Sequence, residues 1–162
     1  MRQILVSIEH TGLGQWMRES GPWTYAIVNT LHIFGIATLF GSVLALDLRL
    51  LGAFSRRISI ASLSSVVQPV GAIGFALAAA TGAAMLATKA TAYVDNPFLL
   101  IKFPAIALGV VNAAVLNCTR TWRELRMREP SPAERRRLAM FGAVSLVSWL
   151  TAVTCGRMIA YW

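Results

Sequence analysis

His32, Lys102 and Arg157 are ionisable side chains that each lie inside a long apolar stretch. At the centre of a membrane helix Arg, Lys or Asp costs about 2.5–3.5 kcal/mol on insertion scales, so such residues are candidate site residues. An imidazole can ligate haem iron, bind a transition metal or carry a proton. An ammonium and a guanidinium suit a carboxylate, a phosphate headgroup, a quinone oxygen or a haem propionate. At 100° per residue, Tyr25, Asn29 and Asp47 fall within about 60° of His32 on a helix face. Tyr25 and Asn29 are therefore expected to orient the ring. Asp47 and Arg49 close the same stretch in "DLRLLG" and read as a structural polar network with Arg56 or Arg120. His10, outside the apolar stretches, reads as solvated.

These residues need elements that hold them in hydrocarbon. Of the 162 residues, 56% are hydrophobic and 14% charged, with a mean hydropathy of +0.61. A soluble domain carries about 25% charged residues, so the composition is that of a membrane protein. Four stretches are long enough to cross about 30 Å of hydrocarbon as helices: 23–46, 66–87, 98–116 and 138–159. Helix signals mark their starts. Pro22 follows Gly21, and Pro97 follows Asn96, both suited to a first helical position. Ser131 to Glu134 reads as a capping box. Pro69 and Pro104 each open or kink a helix. The expectation is an all-α, integral-membrane four-helix bundle formed by residues 1–162 as a single membrane domain.

Residues 1–21 cannot span. Ile4, Leu5, Ile8, Trp16 and Met17 recur at helical spacing between Glu9, Arg18 and Glu19, which predicts an N-terminal amphipathic interfacial helix or two on the outer surface. The apolar core of the first ten residues is too short for a signal-peptide h-region. Trp16, Trp23, Tyr25, Tyr93, Tyr161 and Trp162 make an aromatic belt at one interface.

Lysine and arginine counts set the orientation. The linkers after the first and third spans carry ten arginines, against Arg2, Arg18 and Lys89 on the other side. The arginine-rich side is expected to be cytoplasmic and both termini periplasmic, in a bacterial inner membrane. The net charge of +8 is then topological rather than a nucleic-acid footprint, because Glu124, Glu129 and Glu134 break up the charge and aromatics do not interleave it. The partners expected are the lipid bilayer and other membrane subunits.

Depth lets the polar groups meet in the outer half of the membrane. His32 is nine residues inward from Trp23, about 13 Å; Lys102 is about 7 Å in from Pro97 and Arg157 about 7 Å from the C-terminus. One outward-facing pocket from four helices is expected, with Lys102 and Arg157 holding an anionic group and His32 as anchor. Small residues that let helices approach are Gly35, Gly41, Gly71, Gly74, Gly82, Gly109, Gly142, Ser145 and Ser148. The structural reading of the same residues is snorkelling for Lys102 and Arg157 and an interhelical hydrogen bond for His32.

Haem b is the alternative cofactor. With a single histidine in the spans, its second ligand would be Met85, Met158 or His10. A metal ion could take His32, Met85 and Met158 with Cys155. Cys118 and Cys155 fall at opposite ends of spans and are not expected to bridge. No GxSxG, HExxH or P-loop pattern and no paired intramembrane carboxylates occur, so no enzyme motif is present. A purely structural subunit and a small proton- or ion-coupled carrier are the remaining readings.

Several segments together resemble a family of small bacterial four-span inner-membrane proteins known only as a domain of unknown function. They are "WTYAIVNTLHIFG" at 23–35, "DLRLLG" at 47–52, "TG" at 81–82, "NPFLLIK" at 96–102 and "GRMIAY" at 156–161. The likeness covers nearly the whole chain, with HxxG…DLRLLG as its signature. It implies the four-span architecture and brings no activity, cofactor or catalytic residue. A fainter likeness to the small membrane domains of copper-resistance proteins rests on His32 and Gly35.

Overall fold

A computed structural model describes residues 2–53, 58–93, 95–125 and 128–162. Arg56, Arg57 and Arg126 of the basic linkers lie outside the described residues, as do the side chains of Arg2, Ile4, Leu5 and Ile8. The described chain is helical, with no strand among the described residues. The helices are α1 (Arg2–Glu9), α2 (Gly12–Glu19), α3 (Pro22–Leu50), α4 (Ile60–Thr88), α5 (Pro97–Cys118), α6 (Arg120–Glu124) and α7 (Pro132–Met158), with 3₁₀ turns at Ala90–Tyr93 and Ile159–Tyr161. Helices α3, α4, α5 and α7 are each long and apolar enough to cross a membrane. Even the shortest, α5 with 22 residues, extends about 33 Å. All four expose large apolar side chains, such as Phe34, Ile73, Phe103 and Val147, which suits helices whose solvent is acyl chain.

The helix ends follow local chemistry. Pro22 and Pro97 start α3 and α5, and the Ser131–Glu134 capping box is formed at α7 with Pro132 in its first turn. Pro69 and Pro104 lie inside α4 and α5 rather than opening them. Helix α4 begins well before the apolar run at 66–87. Ser59 caps it by accepting from the Ser62 amide at 3.0 Å, and Ser64 and Ser65 donate to the carbonyls of Ala61 and Ser62. Hydroxyls bonded to their own helix let a serine-rich segment stay helical. The α3 end explains the last residue of "DLRLLG". The Gly52 amide bonds Arg49 O at 3.2 Å and the Ala53 amide bonds Leu48 O at 2.9 Å, the two bonds of a Schellman cap. Gly52 sits at φ +85°, where a side chain would be strained.

The chain divides into two compact units, residues 1–39 with 72–97 and residues 40–71 with 98–162. In the first unit α3 and α4 approach backbone to backbone. A Cβ on Gly35 would stand 2.6 Å from Ala78 N, and one on Gly74 would stand 2.5 Å from Leu39 N. Two glycines in register therefore let these helices touch, as small residues do in membrane helices. Helix α2 is docked on the end of α4: Met17 is buried at 2% exposure, and a Cβ on Gly14 would meet Ala87 O at 2.7 Å. Arg18 donates to Ala87 O at 3.5 Å, Thr88 O at 3.4 Å and Glu9 O at 3.0 Å, which places a cation on the last carbonyls of α4. Glu9 accepts from the Thr91 amide at 2.9 Å and the Thr91 hydroxyl at 2.7 Å.

In the second unit Leu46, Leu50, Ile60, Leu116 and Leu138 form the core, with Trp122 and Phe141 packed against it. Trp149 is buried at 7% exposure and rests on Gly109, where a Cβ would come within 2.9 Å of its ring. Asn112 donates to Phe141 O at 3.0 Å and Gln68 to Asn117 Oδ1 at 3.2 Å. Gly142 lies under Leu50 and the Asp47 backbone. Gly41 has open space around its Cβ position, so the approach expected of it as a small residue is not made there.

Candidate functional site

The first unit carries the histidine. His32 is half-buried on α3, and its Nδ1 lies 3.0 Å from the Thr81 hydroxyl of α4. The same hydroxyl donates its one proton to Leu77 O at 2.6 Å. Having donated, it can only accept from the ring, so Nδ1 carries hydrogen and Nε2 carries the lone pair in the neutral imidazole. Gly82 makes room for this ring: a Cβ there would stand 2.9 Å from His32 Cε1. Threonine and glycine adjacent in sequence thus supply a hydroxyl partner and a space. This is the local meaning of the "TG" pair, which periodicity alone does not reveal.

Thr81, on the neighbouring helix, is a hydrogen-bonding partner of the ring beside the Tyr25 and Asn29 expected from spacing. Tyr25 is 38% exposed and Asn29 is half-buried. The close crossing at Gly35 and Gly74 brings α4 within hydrogen-bonding reach of α3, so the ring can meet a hydroxyl of the neighbouring helix. Met85 is half-buried in the same unit.

The second unit carries the two cations of the outer-half expectation. Lys102 lies along α7 at Gly156, where a Cβ would be 3.2 Å from its Nζ and 3.5 Å from its Cε. Arg157 is exposed and turned to the end of α7. Its guanidinium stands 4.8 Å from the centroid of the Tyr161 ring and donates to the Tyr161 hydroxyl. That is a cation–π contact combined with a hydrogen bond one turn along the helix, the geometry of a snorkelling arginine. Phe98 meets Trp162 edge to face at 6.1 Å between centroids. Met158 is 38% exposed.

Asp47 and Arg49 are both buried, at 3% and 7% exposure. The Ser145 hydroxyl of α7 is the hydrogen-bonding neighbour of the Asp47 carboxylate, while its Oδ2 is buried with no hydrogen-bond partner. Arg49 donates from Nε to Ile58 O at 2.9 Å. Arg120, one of the two partners expected for this pair, instead bonds Glu124 on its own helix. Its side chain is 87% exposed, so it has no reason to follow Asp47 into the interior. Glu124 also pairs with Arg128 at 2.9 Å, and Arg128 with Glu134 at 2.6 Å. The hydrogen bonds from Arg120 and Arg128 hold the Glu124 carboxyl below the ordinary carboxylate range.

Among the described residues no three His, Cys, Asp or Glu side chains gather closely enough to hold a metal ion. Cys118 and Cys155 are free thiols, the first exposed and the second buried. No family model, curated protein or solved structure matches the chain. The functional reading therefore rests on the residues themselves.

Proposed function

We propose that the chain is a small multi-pass binding protein or subunit of a bacterial inner membrane, a member of the domain-of-unknown-function family it resembles, with His32 as the anchor for a bound ligand. The observation that carries this reading is the His32–Thr81–Leu77 relay. A hydroxyl already committed to a backbone carbonyl fixes which ring nitrogen holds hydrogen and holds the imidazole in one orientation, as the outer partner of a ligand-binding histidine does. The four spans and the ten-to-three asymmetry of lysine and arginine support a multi-pass protein with both termini on the periplasmic side.

The test is to purify the full chain and its His32→Leu variant from membranes and identify the small molecules that co-purify. A molecule retained by the wild-type chain and lost from a folded His32→Leu protein is the expected result. Identical contents in both, with folding intact, would leave the imidazole a packing residue and overturn the proposal.

One observation favours haem b as a second reading. A metal-ligating histidine almost always donates its other ring N–H to an oxygen acceptor, and His32 Nδ1 has that partner in Thr81. The absorption spectrum of protein made under haem-replete conditions decides it. A Soret band that His32→Leu abolishes supports haem, and its absence from the wild-type chain rejects it.

A further inference from the structure

The second unit, which does not contain His32, holds a cavity of about 190 Å³ where α3 ends and α7 begins. Arg49 and Arg135 line it, with Leu50, Ile60 and Leu138 as apolar walls and Gly52 at the rim. Arg49 is the unusual member. It is 7% exposed, and its Nε bonds a backbone carbonyl. All seven Asp and Glu residues of the chain lie among the described residues, and none forms an ion pair with Arg49. A buried charge without a counter-charge is costly and is normally matched by a partner. Arg135 adds a second guanidinium, which donates from Nε to Pro130 O at 3.0 Å and pairs with the largely exposed Glu129 at 2.7 Å. Two cations therefore face the cavity, and one exposed carboxylate offsets them in part.

The place and size of the cavity say what could balance that charge. Arg49 is one residue from the end of α3, and Arg135 is in the first turn of α7, the level at which a spanning helix meets headgroups. The volume is below the roughly 300–1,000 Å³ of sites for drug-sized molecules, so it suits a small anion. Guanidinium forks match phosphate oxygens in pairs, and the leucine and isoleucine walls suit the apolar start of a lipid chain.

We propose that Arg49 and Arg135 form a phosphate-binding site, filled by the phosphodiester of an anionic lipid or by free phosphate. The site is separate from His32 and stands whether or not the histidine binds a ligand. The Schellman cap at Gly52 ends α3 just after Arg49, and Ile58 O holds the Arg49 guanidinium in the interior.

The experiment titrates the purified full chain in detergent with phosphatidylglycerol, phosphatidylcholine and inorganic phosphate, reading bound lipid by native mass spectrometry and phosphate by calorimetry. Phosphatidylglycerol is expected to bind more tightly than phosphatidylcholine. Arg49→Gln is expected to weaken it by about tenfold or more, the worth of one charge-assisted hydrogen bond, and Arg135→Gln by less. Arg136→Gln, an exposed neighbour, serves as control and is expected to match wild type. Competition by inorganic phosphate assigns free phosphate as the occupant, and lipid binding without competition assigns the headgroup. Equal binding of both lipids with no phosphate binding, or wild-type affinity in a folded Arg49→Gln protein, overturns the proposal. If Arg49→Gln fails to fold, Arg49→Lys and Arg135→Gln decide, because unchanged phosphatidylglycerol and phosphate binding in either folded variant also overturns it.

Discussion

A hydroxyl has one proton, and at Thr81 that simple count decides the state of a neighbouring ring. The proton goes to Leu77 O, so His32 must donate from Nδ1. Replacing Thr81 by Val keeps the side-chain shape and removes the acceptor. The Nδ1–H would then lose its partner, at a cost of about 1–3 kcal/mol, and the ring would be released to the other tautomer. Nitrogen-15 NMR of the labelled histidine checks this. The wild-type chain is expected to show the Nδ1–H form when neutral, Thr81→Val a shift toward Nε2–H, and Thr81→Ser a return toward wild type. A wild-type spectrum of the Nε2–H form would show that Thr81 does not govern the ring.

At the scale of elements, the N-terminal helices are held by a few polar contacts at one end of α4. Glu9 is the titratable one. The Thr91 hydroxyl and amide hold its carboxyl below its ordinary value of 4.5. The carboxylate form is therefore the bonded one. Its contribution is fully present above pH 4.5 and falls away as the pH drops through the lowered value. Amide hydrogen exchange is the measurement. The amide of Thr91 and those of α1 are expected to be protected at neutral pH and to lose protection in acid, as the pH falls through the lowered Glu9 value. Glu9→Gln should show the weaker protection at both pH values. Protection independent of pH in the wild-type chain would mean that Arg18 and Met17 alone hold the segment.

Over the whole molecule, charge asymmetry makes the topological prediction. Single cysteines introduced at Arg123 and Lys89, in a chain whose own two cysteines are replaced by Ala, should react from opposite sides of the membrane. The Arg123 position is expected to be labelled only after the cell interior is opened, and the Lys89 position from outside, as the excess of arginine in the linkers demands. Labelling of both from the same side would contradict a four-span topology. The reverse sidedness would contradict the orientation alone.

The four spans were legible because an α-helix must present about 20 apolar residues to cross hydrocarbon. Proline and serine at the starts of α3, α5 and α7 were legible because capping is local chemistry. The beginning of α4 was not, since serines that bond their own helix read as linker. The site was legible only as a set of residue types. His32, Asp47 and Arg49 stand out wherever they fold, because ionisable groups in an apolar stretch are costly. Their partners come from remote segments: Thr81 and Gly82 for the ring, Ser145 for Asp47, and Ile58 O for Arg49. Spacing along one helix put Tyr25 and Asn29 nearest to His32, and the Gly35–Gly74 approach adds a hydroxyl from α4 that spacing cannot show. Hydropathy and capping depend on neighbours in sequence, so the chain alone determined its helices and its membrane character. Which nitrogen of His32 bears hydrogen, and which arginine is buried without a counter-charge, depend on helices meeting across space, and only the tertiary structure decided those.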